Sequence, residues 1–159
     1  MAPGAAALPK VVVDGDACRV KEEVYAVAAR YGIAVTLVAN RSLWVPARPP
    51  VQLVVVGNAP DAADDWIARH VGAGDVVVTA DIPLAARCLA RGAGVLGTDG
   101  RPFSEDSIGG ALATRELKAQ LRDAGIASRG PRALTAKDRA RFLSQLDRLL
   151  QRARAAPAS

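Results

Sequence analysis

The chain has few aromatic residues, few cysteines and a single histidine, and each shortage excludes a class of function. Aromatic residues make up 4% of the 159 residues, too few for an extended platform on which single-stranded bases stack. One histidine and no Gly-x-Ser-x-Gly motif leave an acyl-transfer triad without support. The sequence has neither a P-loop nor a Rossmann glycine fingerprint, so no nucleotide cofactor is expected.

The cysteines and the short apolar runs indicate the cellular compartment of the protein. Cys18 and Cys88 are isolated, without Cys-x-x-Cys or Cys/His spacing, which is typical of reduced thiols in the cytoplasm. No apolar run approaches the roughly 18 residues needed to span a bilayer. The start, MAPGAAALPK, lacks the basic and apolar regions of a signal peptide. We therefore expect a cytoplasmic protein that does not engage a membrane.

Charge is unevenly distributed along the chain, whose formal net charge is +5. From residue 111 to residue 159 there are 11 Lys and Arg against 4 Asp and Glu, whereas the preceding part has 10 basic and 12 acidic residues. An acidic body with a basic C-terminal third indicates a polyanionic partner lying across the molecule. A solvated Arg-rich helix would have the same composition.

Valine-rich runs alternate with helical patterns through most of the chain. Short apolar, β-branched runs bounded by turn residues predict strands over 11–13, 33–39, 51–56, 75–79 and 95–96. Apolar residues at helical spacing predict helices over 20–31, 58–71, 83–91, 104–124 and 135–154. This alternation predicts an α/β fold with a mainly parallel sheet of about five strands and an added C-terminal helical segment. We expect one domain over 10–154, a disordered N-terminus 1–9 and a frayed tail 155–159.

Carboxylates follow the predicted strands where the strands end. Asp14 and Asp16 follow the first strand, Asp81 follows the fourth and Asp99 the fifth. The helix after the third strand begins with a further group, Asp61, Asp64 and Asp65. In a parallel sheet these ends lie at one edge, where open α/β sheets bind their ligands. The acids can therefore converge.

Acidic side chains brought close together repel one another unless a cation lies among them. Oxygen-only ligand sets suit Mg²⁺ or Mn²⁺, which bind phosphate substrates through carboxylates and waters. We therefore predict all seven acids as metal ligands and four as catalytic: Asp14, Asp16, Asp81 and Asp99. One or two ions would hold a scissile phosphate and activate a water for in-line attack.

Most of these acids also have a structural explanation. The helix macrodipole favours Asp61 and Asp64 in a first turn, Asp81 suits an N-cap, and Asp99 precedes a glycine as turn residues do. Asp14 and Asp16 have no equally good structural reason. Thr79 and Ser107 are polar neighbours that either orient ligands or bond the backbone.

Basic residues of the C-terminal third form a second candidate site. Arg115, Lys118 and Arg122 fall at i, i+3 and i+7, so one helix face can follow a phosphate backbone. The predicted nucleic-acid footprint extends to Arg19, Lys21, Arg132, Lys137, Arg139 and Arg141.

Five stretches carry a resemblance to the bacterial YaiI/YqxD family, also known as UPF0178 or DUF188: VDGDACRVKEEVY, GNAPDAADDWI, VVTADIPLA, GTDGRPF and GPRALTAKDRARFLSQLDRLL. They extend from about residue 11 to residue 150. The family typically has Asp-Ala-Asp-Ala-Cys-Pro in the first stretch. Here Gly15 and Arg19 replace the first Ala and the Pro, and both carboxylates are kept.

The resemblance implies a PIN-like α/β/α sandwich, whose relatives include metal-dependent ribonucleases and flap-type nucleases. It implies that Asp14 is the strand-one acid, Asp81 the acid after the fourth strand and Asp99 the last acid. One of the three acids after the third strand would complete the set. The leading hypothesis is a Mg²⁺- or Mn²⁺-dependent nuclease acting on RNA, with a homodimer as a possible assembly.

Two other functions remain open. VVVDGDA also resembles the nucleophile motif of haloacid-dehalogenase-like phosphatases, in which Asp14 would be the nucleophile and Asp16 the general acid. The third hypothesis is a nucleic-acid-binding or regulatory module that keeps a metal site without turnover. Cys18, near the start of the first helix, has no base beside it in sequence and is not the expected nucleophile.

Overall fold

The computed structural model describes residues 9–16, 18–126 and 133–155, which form an α/β fold around one six-stranded sheet. The strands are β1 (Val11–Asp14), β2 (Val35–Ala39), β3 (Val51–Val55), β4 (Val76–Val78), β5 (Gly94–Leu96) and β6 (Pro102–Phe103). The helices are α1 (Lys21–Tyr31), α2 (Ala62–His70), α3 (Ile82–Ala90), α4 (Glu105–Asp123) and α5 (Ala136–Ala155). The predicted α/β class and mainly parallel sheet are confirmed.

The strand order places the carboxyl end of β1 at the point where the direction of winding reverses. The order is β3-β2-β1-β4-β5-β6, and every pair is parallel except β5 and β6. The chain moves outward from β1 to β3 and then resumes at β4, on the other side of β1. Such a reversal opens a crevice beyond the carboxyl ends of the two strands, and ligands of open α/β sheets bind there.

Helices cover both faces of the sheet. Val11 and Val13 of β1 belong to a buried cluster with residues of α1 and α5. Val12 points to the opposite face and joins a second cluster with residues of α2 and α3. All three valines are fully buried, as expected for a central parallel strand that is covered on both sides.

Helix α4 lies outside these layers and packs on α3. None of its side chains is buried. A capping box opens the helix, because Ser104 Oγ accepts the Ser107 N–H at 3.1 Å and Ser107 Oγ accepts the Ser104 N–H at 2.9 Å. Ser107, a candidate for orienting a ligand, therefore has a structural role. The helix also continues without a break through Gly109 and Gly110.

One predicted boundary is wrong, one strand was missed, and some expectations fall outside the described residues. Helix α2 begins after Asp61, not at Asn58, because the chain first makes a turn in which the Ala62 N–H donates to the Ala59 carbonyl at 3.0 Å. Strand β6 was not predicted. The expectations for 1–8 and 156–159, and most of the predicted linker over 127–132, lie outside the described residues. No described helix is long and apolar enough to cross a membrane.

Candidate functional site

Asp14 and Thr79 end the two central strands and are hydrogen-bonded to each other. The Thr79 hydroxyl donates to Asp14 Oδ2 at 3.2 Å, and the same oxygen of Thr79 accepts the Asp81 N–H at 3.0 Å. Thr79 is 1% exposed, so its hydroxyl has no freedom to bond water instead. It fixes the orientation of Asp14 and the start of the loop that carries Asp81.

Asp81 is the N-cap of α3. Its Oδ1 accepts the Leu84 N–H at 2.9 Å, which holds the carboxylate at the helix start and leaves Oδ2 available. Pro83 in the first turn has no N–H to satisfy, and Leu84 is buried in the core. The structural and functional explanations of this residue are therefore compatible.

Asp64, in the first turn of α2, is the third member of the cluster. The pKa of Asp64 is raised to about 6, first by burial and then by the negative charges of Asp81, Asp14 and Asp61. Arg87 has a smaller opposing effect. No described residue donates a hydrogen bond to Asp64. Three carboxylates from β1, α2 and α3 thus share one electrostatic environment.

The pKa of Asp14 is also raised by burial and by neighbouring carboxylates. Burial raises the pKa of Asp14, the Thr79 hydrogen bond opposes this, and the charges of Asp81 and Asp16 add to the increase. Like charges that raise one another's pKa values, with only partial compensation from Thr79 and Arg87, are an arrangement that a cation relieves. We call Asp14, Asp64 and Asp81 the acidic cluster.

The acidic cluster fits a hard divalent cation that keeps part of its water shell. Its ligand atoms would all be carboxylate oxygens, the type that Mg²⁺ and Mn²⁺ prefer. Among residues 9–16, 18–126 and 133–155, no group of three or more His, Cys, Asp or Glu side chains is arranged to hold a metal ion by itself. Mg²⁺ is commonly bound by one or two carboxylates plus waters and substrate phosphate, so a closed set of protein ligands is not required.

The predicted acids next to the acidic cluster differ in their hydrogen-bond and ion-pair partners. Both carboxylate oxygens of Asp16 accept the Asn40 N–H, at 3.0 and 3.3 Å, which ties the turn after β1 to the end of β2. Asp61 lies at the N-cap position of α2 without capping it and contributes charge to Asp64. Asp65 points away and pairs with Arg87 at 2.9 Å.

Asp99 lies apart from the acidic cluster. It is not among the charges that affect Asp14 or Asp64. Its Oδ1 accepts the Arg101 N–H at 3.1 Å, and it lines a separate cavity beside Phe103. Of the acids predicted from sequence, the structure therefore brings Asp14, Asp64 and Asp81 together, with Asp16 and Asp61 beside them.

A basic groove adjoins the loop of Asp81. It has a volume of about 410 Å³ and runs between α4 and the two neighbours of Asp81, Ala80 and Ile82. Its cationic lining consists of Arg115, Lys118 and Arg122, the three residues predicted from their helical spacing. Phosphates lying in this groove would be next to the acidic cluster.

The remaining predicted basic residues are more dispersed. Arg139 pairs with Glu23 at 2.9 Å and donates to the Arg19 carbonyl, joining α5 to α1. Arg141 donates to the Asp99 carbonyl at 3.3 Å and contacts Asp138. Arg19 lines the cavity of Asp99, Lys21 begins α1, and Lys137 is exposed at the start of α5. Arg132 lies outside the described residues.

The two thiols are not activated. Burial is the main cause that raises the pKa of Cys18, and burial also raises that of Cys88, to about 11. Both cysteines are free. A thiol that stays protonated at neutral pH is a poor nucleophile, in agreement with the expectation that Cys18 is not catalytic.

Comparison with known proteins identifies the family. The profile described as "Uncharacterized BCR, YaiI/YqxD family" (DUF188) matches residues 12–152. A UPF0178 protein of Rhodopseudomonas palustris strain BisB18 is 52% identical over 143 residues, covering 90% of this chain and 92% of the relative. Another from Rhodospirillum rubrum is 51% identical over 143 residues, covering 89% and 95%. No solved structure matches. The chain belongs to the YaiI/YqxD (UPF0178) family.

Proposed function

We propose that this protein is a divalent-metal-dependent nuclease that hydrolyses phosphodiester bonds in RNA. The observation that supports this most is the acidic cluster, in which Asp81, Asp14 and Asp61 help to raise the pKa of Asp64 to about 6. The cluster lies at the reversal of the sheet winding, where a ligand is expected. The choice of RNA over DNA rests on the family's likeness to ribonucleases.

Asp14, Asp64 and Asp81 are the residues that would hold the metal. When bound, Mg²⁺ or Mn²⁺ supplies Lewis acidity toward a phosphate oxygen and lowers the pKa of a coordinated water. Thr79 is a positioning residue, because it bonds both Asp14 and the backbone of Asp81. Asp16 and Asp61 add negative charge beside the cluster and favour a cation there.

The basic groove supplies the second requirement of a nuclease, which is to hold a polyanion next to the reacting group. Lys118, Arg115 and Arg122 extend along more than one turn of α4, so successive phosphates can be neutralised along the helix. Such contacts are independent of sequence and weaken with salt.

The test begins with calorimetric titration of Mn²⁺ and Mg²⁺ into the wild type, the double variant Asp14→Asn/Asp81→Asn, and Asp123→Asn. Asp123 is an exposed carboxylate at the far end of α4, so its variant is the matched control. We expect binding in the wild type and control and none in the double variant. Labelled RNA should be cleaved only by the proteins that bind metal.

Other outcomes would lead to the alternative functions. Metal and RNA binding without cleavage would favour a non-catalytic binding module. Release of phosphate from an aryl phosphate, lost in Asp14→Asn, would favour the phosphatase. Equal metal titrations of the wild type and the double variant would overturn the metal site itself.

We also propose the cytoplasm as the compartment in which this activity operates. The two cysteines are free thiols in the described structure, a state that a reducing compartment maintains. Localisation of a fluorescent fusion in intact cells would test this.

A further inference from the structure

A second cavity adjoins the basic groove at the Ala80–Ile82 loop. Its volume is about 240 Å³. Phe103 of β6 and Leu134 before α5 give it apolar walls, and Thr98, Asp99 and Arg19 give it polar ones. Because Ala80 and Ile82 line both this cavity and the basic groove, the two adjoin at the loop that carries Asp81.

Asp99 is held in this cavity by a rigid turn. The Gly97 N–H donates to the Arg101 carbonyl at 2.9 Å, and the Gly100 N–H donates to the Gly97 carbonyl at 3.0 Å. Arg141 of α5 donates to the Asp99 carbonyl at 3.3 Å. A carboxylate whose backbone is fixed in this way loses little conformational entropy when it binds a ligand.

The carboxylate of Asp99 keeps capacity for further hydrogen bonds. Oδ1 accepts one backbone N–H, from Arg101, and the Arg101 Nε lies 3.6 Å from Oδ2 on a side chain that is 70% exposed. Two carboxylate oxygens offer about four acceptor sites. At least two of these remain for donors that enter the cavity.

Gly97 keeps the cavity open. A Cβ at this position would lie 3.0 Å from Asp99 Oδ1 and 3.4 Å from Phe103 Cε2. A side chain would therefore press on the polar wall and the aromatic wall together.

We propose that this cavity binds one base of the RNA strand and that Asp99 selects guanine. The inference rests on the proposed nuclease function, because the two neighbours of Asp81, Ala80 and Ile82, line both this cavity and the phosphate groove. Bases of single-stranded RNA are recognised by packing against aromatic side chains and by hydrogen bonds to their edges. The cavity has an aromatic wall, a fixed acceptor pair and room for a single base.

The acceptor-only chemistry of a carboxylate determines the preference. Guanine presents two adjacent donors, N1–H and the N2 amino group, which match two carboxylate oxygens. Uracil presents a single N–H between two carbonyl oxygens, and these would face the negative charge of Asp99. A matched bidentate pair discriminates by roughly 1–3 kcal/mol in nucleic-acid readout, which corresponds to about fivefold to 150-fold in affinity.

The test measures binding of labelled UUGUU and UUUUU pentanucleotides by fluorescence anisotropy in EDTA, where no metal-dependent cleavage occurs. The wild type should bind UUGUU at least about fivefold more tightly than UUUUU. Asp99→Asn should bind the two equally, because an amide offers one acceptor and one donor. Asp123→Asn, the control, should keep the preference.

Gly97→Ala provides a second variant that leaves the carboxylate in place. It should also lose the preference for guanine, with a melting temperature that shows a folded protein. Equal affinity of the wild type for both oligonucleotides, or no binding of either, would overturn the proposal. A preference that persists in Asp99→Asn would likewise exclude Asp99 as the selecting residue.

The failure of this proposal and that of the nuclease are distinguishable. Cleavage without a guanine preference would remove the base site and keep the nuclease. A guanine preference in EDTA without cleavage in Mn²⁺ would keep the base site and favour the binding module.

Discussion

The carboxylates at the two ends of the sheet differ in how well hydrogen bonds and ion pairs compensate their charge. At the amino end, Asp75 is buried and accepts the backbone N–H groups of Lys10 and Gly72 at 3.2 and 3.0 Å, and the Lys10 ammonium lies 3.2 Å from it. At the carboxyl end, Asp64 receives no hydrogen bond from a described residue, and its pKa is raised to about 6.

The difference separates a carboxylate that serves the fold from one that is available for a ligand. Asp75 joins the loop before β4 to the chain before β1, and its charge is satisfied within the protein. The acidic cluster is left with repulsion that Thr79 and Arg87 relieve only in part. Unfavourable electrostatics of this kind persist where function requires them.

The largest expected effect, on RNA cleavage, comes from replacing one carboxylate of each type by an amide. Asp14→Asn should lower metal-dependent RNA cleavage by about a thousandfold, the scale of losing an activating group, while leaving the fold stable. Asp75→Asn should keep most of the activity per folded molecule but lower the free energy of unfolding by about 1–3 kcal/mol, because it weakens charged hydrogen bonds. Cleavage rates and urea unfolding measure the two effects. Similar profiles for both variants would refute the distinction.

Thr79→Val tests whether the acidic cluster is held in position. The substitution keeps the shape but removes the donor to Asp14 and the acceptor for the Asp81 N–H. We expect activity to fall about 10–100-fold, as for other residues that orient metal ligands, with weaker Mn²⁺ binding in calorimetry. Rescue by Thr79→Ser would show that the hydroxyl is responsible. Unchanged Mn²⁺ affinity in Thr79→Val would contradict the role.

Lys118→Gln tests whether the basic groove binds the phosphates of RNA. Removing one phosphate contact should weaken RNA binding several-fold at low salt and reduce the slope of log affinity against log salt by about 1. Arg148→Gln, a change at an exposed position of α5, is the control and should leave the slope unchanged. Equal slopes in wild type and Lys118→Gln would place the RNA elsewhere.

The smallest expected effect is the pH dependence that Asp64 gives to the stability of the protein in EDTA. The folded-state pKa of Asp64, about 6, is above its ordinary value of 3.8, so the favourable contribution of its protonated form is complete below pH 3.8. This contribution is lost as the pH rises through 6. Asp64→Asn should therefore raise the melting temperature at pH 7.5 and have little effect at pH 4. Thermal melting across this range measures it, and a variant less stable than the wild type at pH 7.5 would contradict the assignment.

The strands and most helix ends could be predicted because local chemistry determines them. Valine runs mark β1 to β4, Gly32 ends α1 with φ of 64°, and Thr135 with Asp138 forms the predicted capping box. Strand β6 could not be found in this way. It has two residues, one of them a proline, and exists only because β5 offers an antiparallel partner.

The acidic cluster was predictable as a group but not member by member. Asp64 and Asp65 differ only in their angle around α2, which is set by packing. Ile67 and Ala68 are buried, so Asp64, three and four residues before them, turns toward the sheet, while Asp65 turns toward Arg87. Asp99 follows a strand like the other acids, yet the tight turn and the contact with α5 direct it to another cavity.

The packing of α5 has a consequence for how the chain folds during synthesis. Phe142, Leu146 and Leu150 are fully buried against the cluster that contains Val11 and Val13. Strand β1 is therefore covered by a helix that leaves the ribosome after all the other described elements. Val11 and Val13 are fully covered only after this helix has docked, so the domain cannot close one part at a time. The strand that ends in Asp14 is therefore fully covered only after α5 has docked.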